Sequence, residues 1–392
     1  MKIALVSPMH LPISQEGGSL EQLMLTIINK NEENKKMDID VYTTYFEKAE
    51  REYVNTKFYK IKISILDILQ QKFRNLLNKI FEKKRYISII DKTVKELKKH
   101  KYDKIIVENN MYLYKEIYNN IDPKVDMYYH MHNDLNDTDK TPDNYMFIER
   151  TAKKIFVVSD YIKERLYSIK KTDKIQVLLN SIDFEKICNN LKNKEELKEI
   201  KNNIGINDKN LTISFIGRVT QEKGIQELIK AFKILYKTNK NLRLLIVGSL
   251  WFGKGKSDFE KMLENEIIDI KEAVCFTGYV NYKDIAKYYQ ITDIVVIPSI
   301  CNDAMPLTAV ESMYFNLPII STRQGGLVAT LGEAALYIKN IDNLENELVL
   351  LLTKVINDGN IRKQLKEKSK ERINTGEFSS KLYFDKFCEY IK

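Results

Sequence analysis

The sequence predicts an α/β protein of two doubly wound parallel-sheet domains in tandem. Short apolar runs alternate with stretches of helical periodicity along most of the chain. The alternation falls into two series, parted by a polar Lys/Asn/Glu-rich stretch at 184–210. The 392 residues also suffice for two domains of about 100–200 residues, each with its own core. Strands separated by helical stretches imply parallel βαβ units whose helices cover both sheet faces.

The first series opens with Ile3 to Val6, a buried-strand pattern. A loop with Pro8, Pro12 and Gly17-Gly18 follows. Ser19 and Gln22 have capping-box spacing, with Ser19 as the expected N-cap. The helix they open puts Leu20, Leu23, Met24, Ile27 and Ile28 on one face. Further strands are predicted at Ile39–Thr43, Lys104–Val107, Val125–His130, Ile155–Val158 and Ile175–Leu179. The second series starts at Leu211, with a strand at Ile213–Ile216, the loop GRVTQEKG and a helix carrying Ile225, Leu228, Ile229, Phe232 and Leu235. A strand at Leu242–Val247 leads to a glycine-bearing loop and a charged helix near 257–271. Short strands at Val274–Thr277, Ile294–Ile297 and Pro318–Ser321 complete the series. The expected domains are 1–183 and 211–376, with 184–210 as a linker holding a short helix.

Composition narrows the class. A hydrophobic fraction of 44% with 30% charged residues is that of a globular protein, not a disordered or low-complexity one. No apolar run approaches the roughly 18 residues of a membrane span. The start, MKIALVSP, reads as a strand and not as a secretory signal. Cys188, Cys275, Cys301 and Cys388 are scattered, which predicts a reducing cytoplasm, no disulfides and no structural zinc.

Two segments carry chemistry. In FIGRVTQEKG, a strand runs into Gly217, and Arg218 and Lys223 sit just before a helix. Unpaired helix-start amides with a guanidinium and an ammonium make a seat for a diphosphate, although an ordinary charged loop reads the same way. In IPSICNDAMPLTAVESMYFNLPIISTRQGG, Pro306 suits the first turn of a helix. The amides of Leu307 and Thr308 would then face an anion. Glu311, about one and a half turns in, could accept from two ribose hydroxyls. Asp303 precedes the helix, nearer any group beyond the phosphates, or else serves the helix dipole.

Together these pieces resemble the donor-binding domain of retaining GT-B glycosyltransferases of glycosyltransferase family 4, the group 1 glycosyltransferases. The match runs over about 110 residues in order: G-R-x-x-x-x-K-G at 217–224, F-T-G-Y-V at 276–280, P-S at 298–299, acid-x7-Glu from Asp303 to Glu311, then L-P-I-I-S-T and Gly325-Gly326. The first half matches more loosely, through Gly17-Gly18, the strand ending at His132, V-V-S at 157–159 and Asn180-Ser181-Ile182-Asp183. The resemblance implies two Rossmann-like domains facing an interdomain cleft, with a last helix (377–392) crossing back to the first domain. It implies that Arg218 and Lys223 neutralise the diphosphate, Glu311 holds the ribose, and Leu307 and Thr308 contact phosphate through their amides. Val280 would lie beside the base, Gly17 and Gly18 would admit the donor phosphate, and His132 and Asp303 would contact the transferred sugar from opposite sides. His132 is otherwise a hydrogen-bonded structural residue, and His130 reads as packing. Two departures stand out: the family's usual first Glu is Asp303, and the Glu after Gly-Gly-x-x is missing.

The implied reaction is retaining transfer of a hexose or N-acetylhexosamine from a nucleotide-sugar, UDP-linked in the first reading. The acceptor would be a glycan or lipid-linked molecule of surface polysaccharide or glycoconjugate synthesis. No metal or other cofactor is expected: Asp38-Ile39-Asp40 abuts a strand and no His pair has helical ligand spacing. The alternatives are a sugar-nucleotide epimerase of the same fold, or a degenerate transferase that binds glycan or membrane. The net charge of +9 is concentrated in 60–101, where 13 Lys or Arg face 4 Asp or Glu among Ile65, Leu66, Ile68, Leu69, Phe73, Leu76, Leu77, Ile80 and Phe81. Such a segment either docks on an anionic membrane or packs its apolar face inward. No nucleic-acid motif accompanies it.

Overall fold

The computed structural model describes residues 1–14, 17–46, 53–80, 87–136, 138–249 and 257–392, with side chains of 77–80 left aside. The chain divides into two compact units, Met1–Leu179 with Tyr383–Lys392, and Asn180–Leu382. Each unit is a parallel sheet dressed with helices.

The strands of the first unit are β1 (Lys2–Val6), β2 (Asp38–Thr44), β3 (Thr56–Ile61), β4 (Lys104–Glu108), β5 (Asp126–Met131), β6 (Lys154–Val157) and β7 (Ile175–Val177). They lie in the order β3-β2-β1-β4-β5-β6-β7, all parallel. The central strands are continuous apolar runs because both faces are covered. Ile3 to Val6 and Ile105 to Val107 are wholly buried. The edge strand β3 has no such run: Lys57 and Lys60 interrupt TKFYKI, as charges on an exposed edge do. That is why an apolar-run search passes over it.

The helix Ser19–Asn34 is capped at Gly18 and not at Ser19, with no side-chain cap bond. The Gln22 amide turns back to the carbonyls of Ser14 and Gly17 instead, at 3.2 and 3.3 Å. The expected capping box is therefore replaced by side-chain bonds to the preceding loop. At the far end of the chain, helix Ser380–Tyr390 places Phe387 and Tyr390 against Phe156, with ring centroids 6.2 and 5.9 Å apart.

In the second unit the strands are β8 (Leu211–Ile216), β9 (Leu242–Val247), β10 (Val274–Phe276), β11 (Ile294–Ile297), β12 (Ile319–Ser321) and β13 (Ala335–Tyr337). Their order is β10-β9-β8-β11-β12-β13, again parallel. The stretch 184–210 contains two helices, Phe184–Cys188 and Lys194–Asn203, and falls inside this unit. The second helix has a full capping box from Asn193 and Glu196. Helix Ile225–Thr238 buries all five of its predicted core positions. The glycine-bearing loop expected after β9 falls largely on 250–256, outside the described residues.

The basic segment contains helix Ile65–Ile80, and 81–86 lie outside the described residues. This helix meets its neighbour Ser88–Leu97 through polar groups. Asp67 pairs with Lys92 at 2.5 Å, and the Ser88 amide donates to the Gln71 side chain at 2.8 Å. Its apolar side chains among the described residues are left outside: Ile65 is 77% exposed, Leu66 76%, Phe73 63% and Leu76 61%.

Candidate functional site

In a doubly wound sheet the strand order reverses at one point, and ligands bind beyond the strand ends there. In the second unit that point lies between β8 and β11. The loop after β8 runs from Gly217 to Gly224, and the loop after β11 from Pro298 to Pro306. These are the two segments the sequence singled out.

The loops are held together closely. Lys223 Nζ pairs with Asp303 Oδ1, and both side chains are largely shielded. The other Asp303 oxygen accepts from Ser299 Oγ at 2.6 Å. The amides of Ile300 and Cys301 donate to the Glu222 carbonyl at 2.8 and 3.1 Å. Gly224 adopts φ +68°, and a Cβ there would come 2.0 Å from the Pro298 carbonyl. The glycine that ends the first motif thus permits both the turn and the approach of the second loop. The Gly325-Gly326 pair is explained in the same way. Gly326 N–H donates to the Asp303 carbonyl at 2.7 Å, and a Cβ on Gly325 would fall 2.1 Å from that oxygen.

Helix Leu307–Tyr314 follows, with Pro306 at the N-cap in an extended conformation and no side chain capping it. The proline therefore precedes the first turn instead of occupying it, because ψ 132° is not helical. Thr308 Oγ1 donates to the Ile216 carbonyl at 3.2 Å, tethering this helix to the end of β8. Glu311 is buried, and its carboxylate accepts from Tyr289 Oη at 2.6 Å. Burial pushes the Glu311 pKa up, against the opposing effect of hydrogen bonds from Tyr289 and Tyr282. Arg218 stands apart from the Lys223–Asp303 pair, exposed and 3.5 Å from Glu222. Val280 is half-buried, in the loop that Gly278 joins to Gly248 by a bridge.

Gly17, Gly18 and His132 belong to the first unit. Gly17 is buried, and a Cβ there would meet Glu21 Cβ at 2.5 Å. His132 follows β5, and its backbone N–H donates to Asn109 Oδ1 at 3.1 Å. Its ring Nε2 lies 2.7 Å from Glu108 Oε2, at the end of the adjacent strand β4. His130 Nδ1 lies 3.0 Å from the same oxygen, and the two imidazole centroids are 3.9 Å apart. His130 is fully buried. Burial would raise the Glu108 pKa, but His130 and His132 outweigh it and hold the carboxyl down at about 2. His132 is pushed down to about 4, first by burial and then by His130.

Among the described residues, Glu108, His130 and His132 form the one group whose ligand atoms, all within 4.8 Å of one another, could converge on a metal. Ligands of a tetrahedral zinc at 2.0–2.1 Å would stand about 3.3 Å apart. The 2.7 Å separation of His132 and Glu108 is instead that of a hydrogen bond.

Sequence reasoning did not single out Glu108, Tyr282 or Tyr289. Glu108 had a signal: a carboxylate closing the apolar run IIV at the carboxyl end of a central strand. Tyr289 had none, since an aromatic on a short helix usually marks core.

Residues 196–372 match the family model described as glycosyl transferases group 1. An uncharacterized glycosyltransferase of Methanocaldococcus jannaschii is 32% identical over 199 residues, 48% of each chain. The capsular polysaccharide biosynthesis glycosyltransferase CapM of Staphylococcus aureus is 26% identical over 60% of each. The lipopolysaccharide 1,2-N-acetylglucosaminetransferase of Salmonella typhimurium is 24% identical, over 57% of this chain and 55% of its own. The chain thus spans about half the length of the curated relatives it matches. Among solved structures, Anabaena HepE in complex with UDP and glucose superposes with a TM-score of 0.75 at 16% identity, covering 100% of this chain and 99% of that one. WaaG, a glycosyltransferase involved in lipopolysaccharide biosynthesis, does so at 0.68 and 16%, covering 95% of each. The two parallel-sheet, Rossmann-like domains are those of the GT-B fold.

Proposed function

We propose that this chain is a group 1 glycosyltransferase that moves a hexose or N-acetylhexosamine, with retention, from a UDP-sugar to a glycan or lipid-linked acceptor. The observation that carries the reading is the second unit's pair of loops, where Lys223, Asp303, Gly224 and Gly325 meet at the end of the sheet beside the uncapped start of helix Leu307–Tyr314. The group 1 family match over 196–372 covers the same residues.

In this proposal the diphosphate takes Lys223 over from Asp303. Arg218, free to move at the surface, swings in beside it, and the amides of Leu307 and Thr308 complete the cradle. These fixed positive groups stabilise charge as it develops on the leaving diphosphate, so the reaction needs no metal. Once released by Lys223, Asp303 accepts from hydroxyls of the sugar, one methylene further back than a glutamate would. Glu311 turns from its tyrosines to the ribose hydroxyls. Gly17 and Gly18 leave room for the donor phosphate, Val280 lies against the base, and His132 contacts the sugar.

The outward apolar face of helix Ile65–Ile80, with Lys72 along it, is the reading's second element. Polar residues fasten the helix to its neighbour, leaving the apolar side for an anionic lipid surface, which suits a lipid-linked acceptor on the cytoplasmic side. Among the described residues, no helix is long and apolar enough to cross a membrane. Binding of UDP, GDP and ADP followed by calorimetry tests the donor; transfer from the matching radiolabelled sugar to membrane lipids tests the acceptor class. Lack of binding by any nucleotide contradicts the proposal.

A further inference from the structure

The buried cluster in the first unit does more than pack. Glu108 and His130 are register partners on β4 and β5, and His132 lies two residues beyond on the same side. All three are buried; Glu108 Oε2 is matched by His132 Nε2, whereas Glu108 Oε1 and both ring nitrogens of His130 have no hydrogen-bond partner. The Glu108 carboxylate can only accept, which makes His132 Nε2 the donor across their 2.7 Å. Burial and His130 keep His132 neutral near pH 7. A neutral imidazole carries one N–H, so with Nε2 protonated, Nδ1 is the acceptor. Asn109 Oδ1 accepts from the backbone N–H of His132 and fixes the backbone at the same point.

We propose that Glu108 is a positioning residue that locks His132 in its Nε2-protonated tautomer, so that Nδ1 accepts a hydrogen bond from a hydroxyl of the bound donor sugar. His130 supports the lock. Its ring packs on His132, and its Nδ1 lies 3.0 Å from Glu108 Oε2 but off the line of a good hydrogen bond, so it does not take over the carboxylate's bond to His132. The Glu108 position thus sets the direction of that hydrogen bond: the sugar hydroxyl donates and the imidazole accepts. The inference rests on the reading that His132 meets the sugar.

The test has two independent arms on the full chain. Ring-nitrogen NMR of 15N-histidine-labelled protein reports the tautomer without any substrate. The expected spectrum has one histidine with Nε2 protonated and Nδ1 bare at neutral pH, absent from His132→Gln and altered in Glu108→Gln, whose amide can donate. A protonated Nδ1 on His132, an unchanged tautomer in Glu108→Gln, or stoichiometric metal in the purified protein would each overturn the lock. The second arm is kinetic. Glu108→Gln should lower kcat by about 10- to 100-fold, the range seen when the partner orienting a ligating histidine is removed, and Glu108→Asp should recover part of it. Nucleotide binding, assigned above to Arg218, Lys223 and Glu311, should be unchanged. A locked tautomer with unaltered kcat in Glu108→Gln overturns the role in the reaction. If no donor is turned over by the native protein, the transferase reading fails while the NMR arm still decides the tautomer.

Discussion

At the scale of single residues, Glu108 and His132 make stability depend on pH in a calculable direction. The Glu108 carboxyl is held at about 2, far below its unfolded value of 4.5, so its contribution is complete above 4.5 and fades as pH falls toward 2. His132 is held at about 4, below 6.5, so between those values the unfolded chain binds a proton that the folded chain refuses. Both groups therefore make acidification destabilising. The melting temperature should drop steadily from pH 7 to 4, and His132→Gln should flatten the part between 6.5 and 4. An unchanged slope in that variant would contradict the assignment. In the second unit, Tyr289→Phe removes the 2.6 Å donor to buried Glu311 and should cost about 1–3 kcal/mol, read by urea denaturation. Gly224→Ala meets both a positive φ and the Pro298 carbonyl, and should destabilise by a similar amount, about 1–3 kcal/mol. The glycines and charged loops of that site were legible in the sequence because each sits at a fixed place in a motif. Glu108 and Tyr289 were not, because their roles exist only once neighbouring strands or helices bring their partners in.

At the scale of elements, what could be read was what is buried on both sides. Strands β1, β4 and β11 announce themselves as unbroken apolar runs. Edge strands β3 and β13 do not: the first is interrupted by lysines and the second, ALY, has no β-branched residue. The start of the first helix was read one residue late because Ser19 has the chemistry of a cap, whereas the chain places Gly18 there. Helix Ile65–Ile80 shows the limit of periodicity most clearly. Its amphipathic pattern was plain, but a pattern does not say which face is turned inward, and here polar Asp67 and Gln71 make the contacts. Phe73→Glu should weaken partitioning onto anionic vesicles about tenfold or more, without changing nucleotide binding. Equal flotation of the native and variant proteins would remove this helix from membrane contact.

At the scale of the whole molecule, both units follow the same plan, a central first strand with the order reversing beside it; Gly17 and Gly18 follow β1 at one reversal, and Arg218, Lys223 and Asp303 follow β8 and β11 at the other, while His132 and Val280 follow β5 and β10 further out. The parallel sheets were predictable from alternation alone. The assignment of chemistry to the second unit came from charged and glycine positions whose order and spacing resemble the motifs of group 1 glycosyltransferases. The most direct measurement is a thermal-shift series with UDP, GDP and ADP and their sugars on the native chain and on Lys223→Ala and Glu311→Ala. Binding to the folded state raises the melting temperature by mass action. The account predicts selective stabilisation by UDP and one UDP-sugar, lost in both variants. No shift with any nucleotide, or a shift that survives both substitutions, would contradict it.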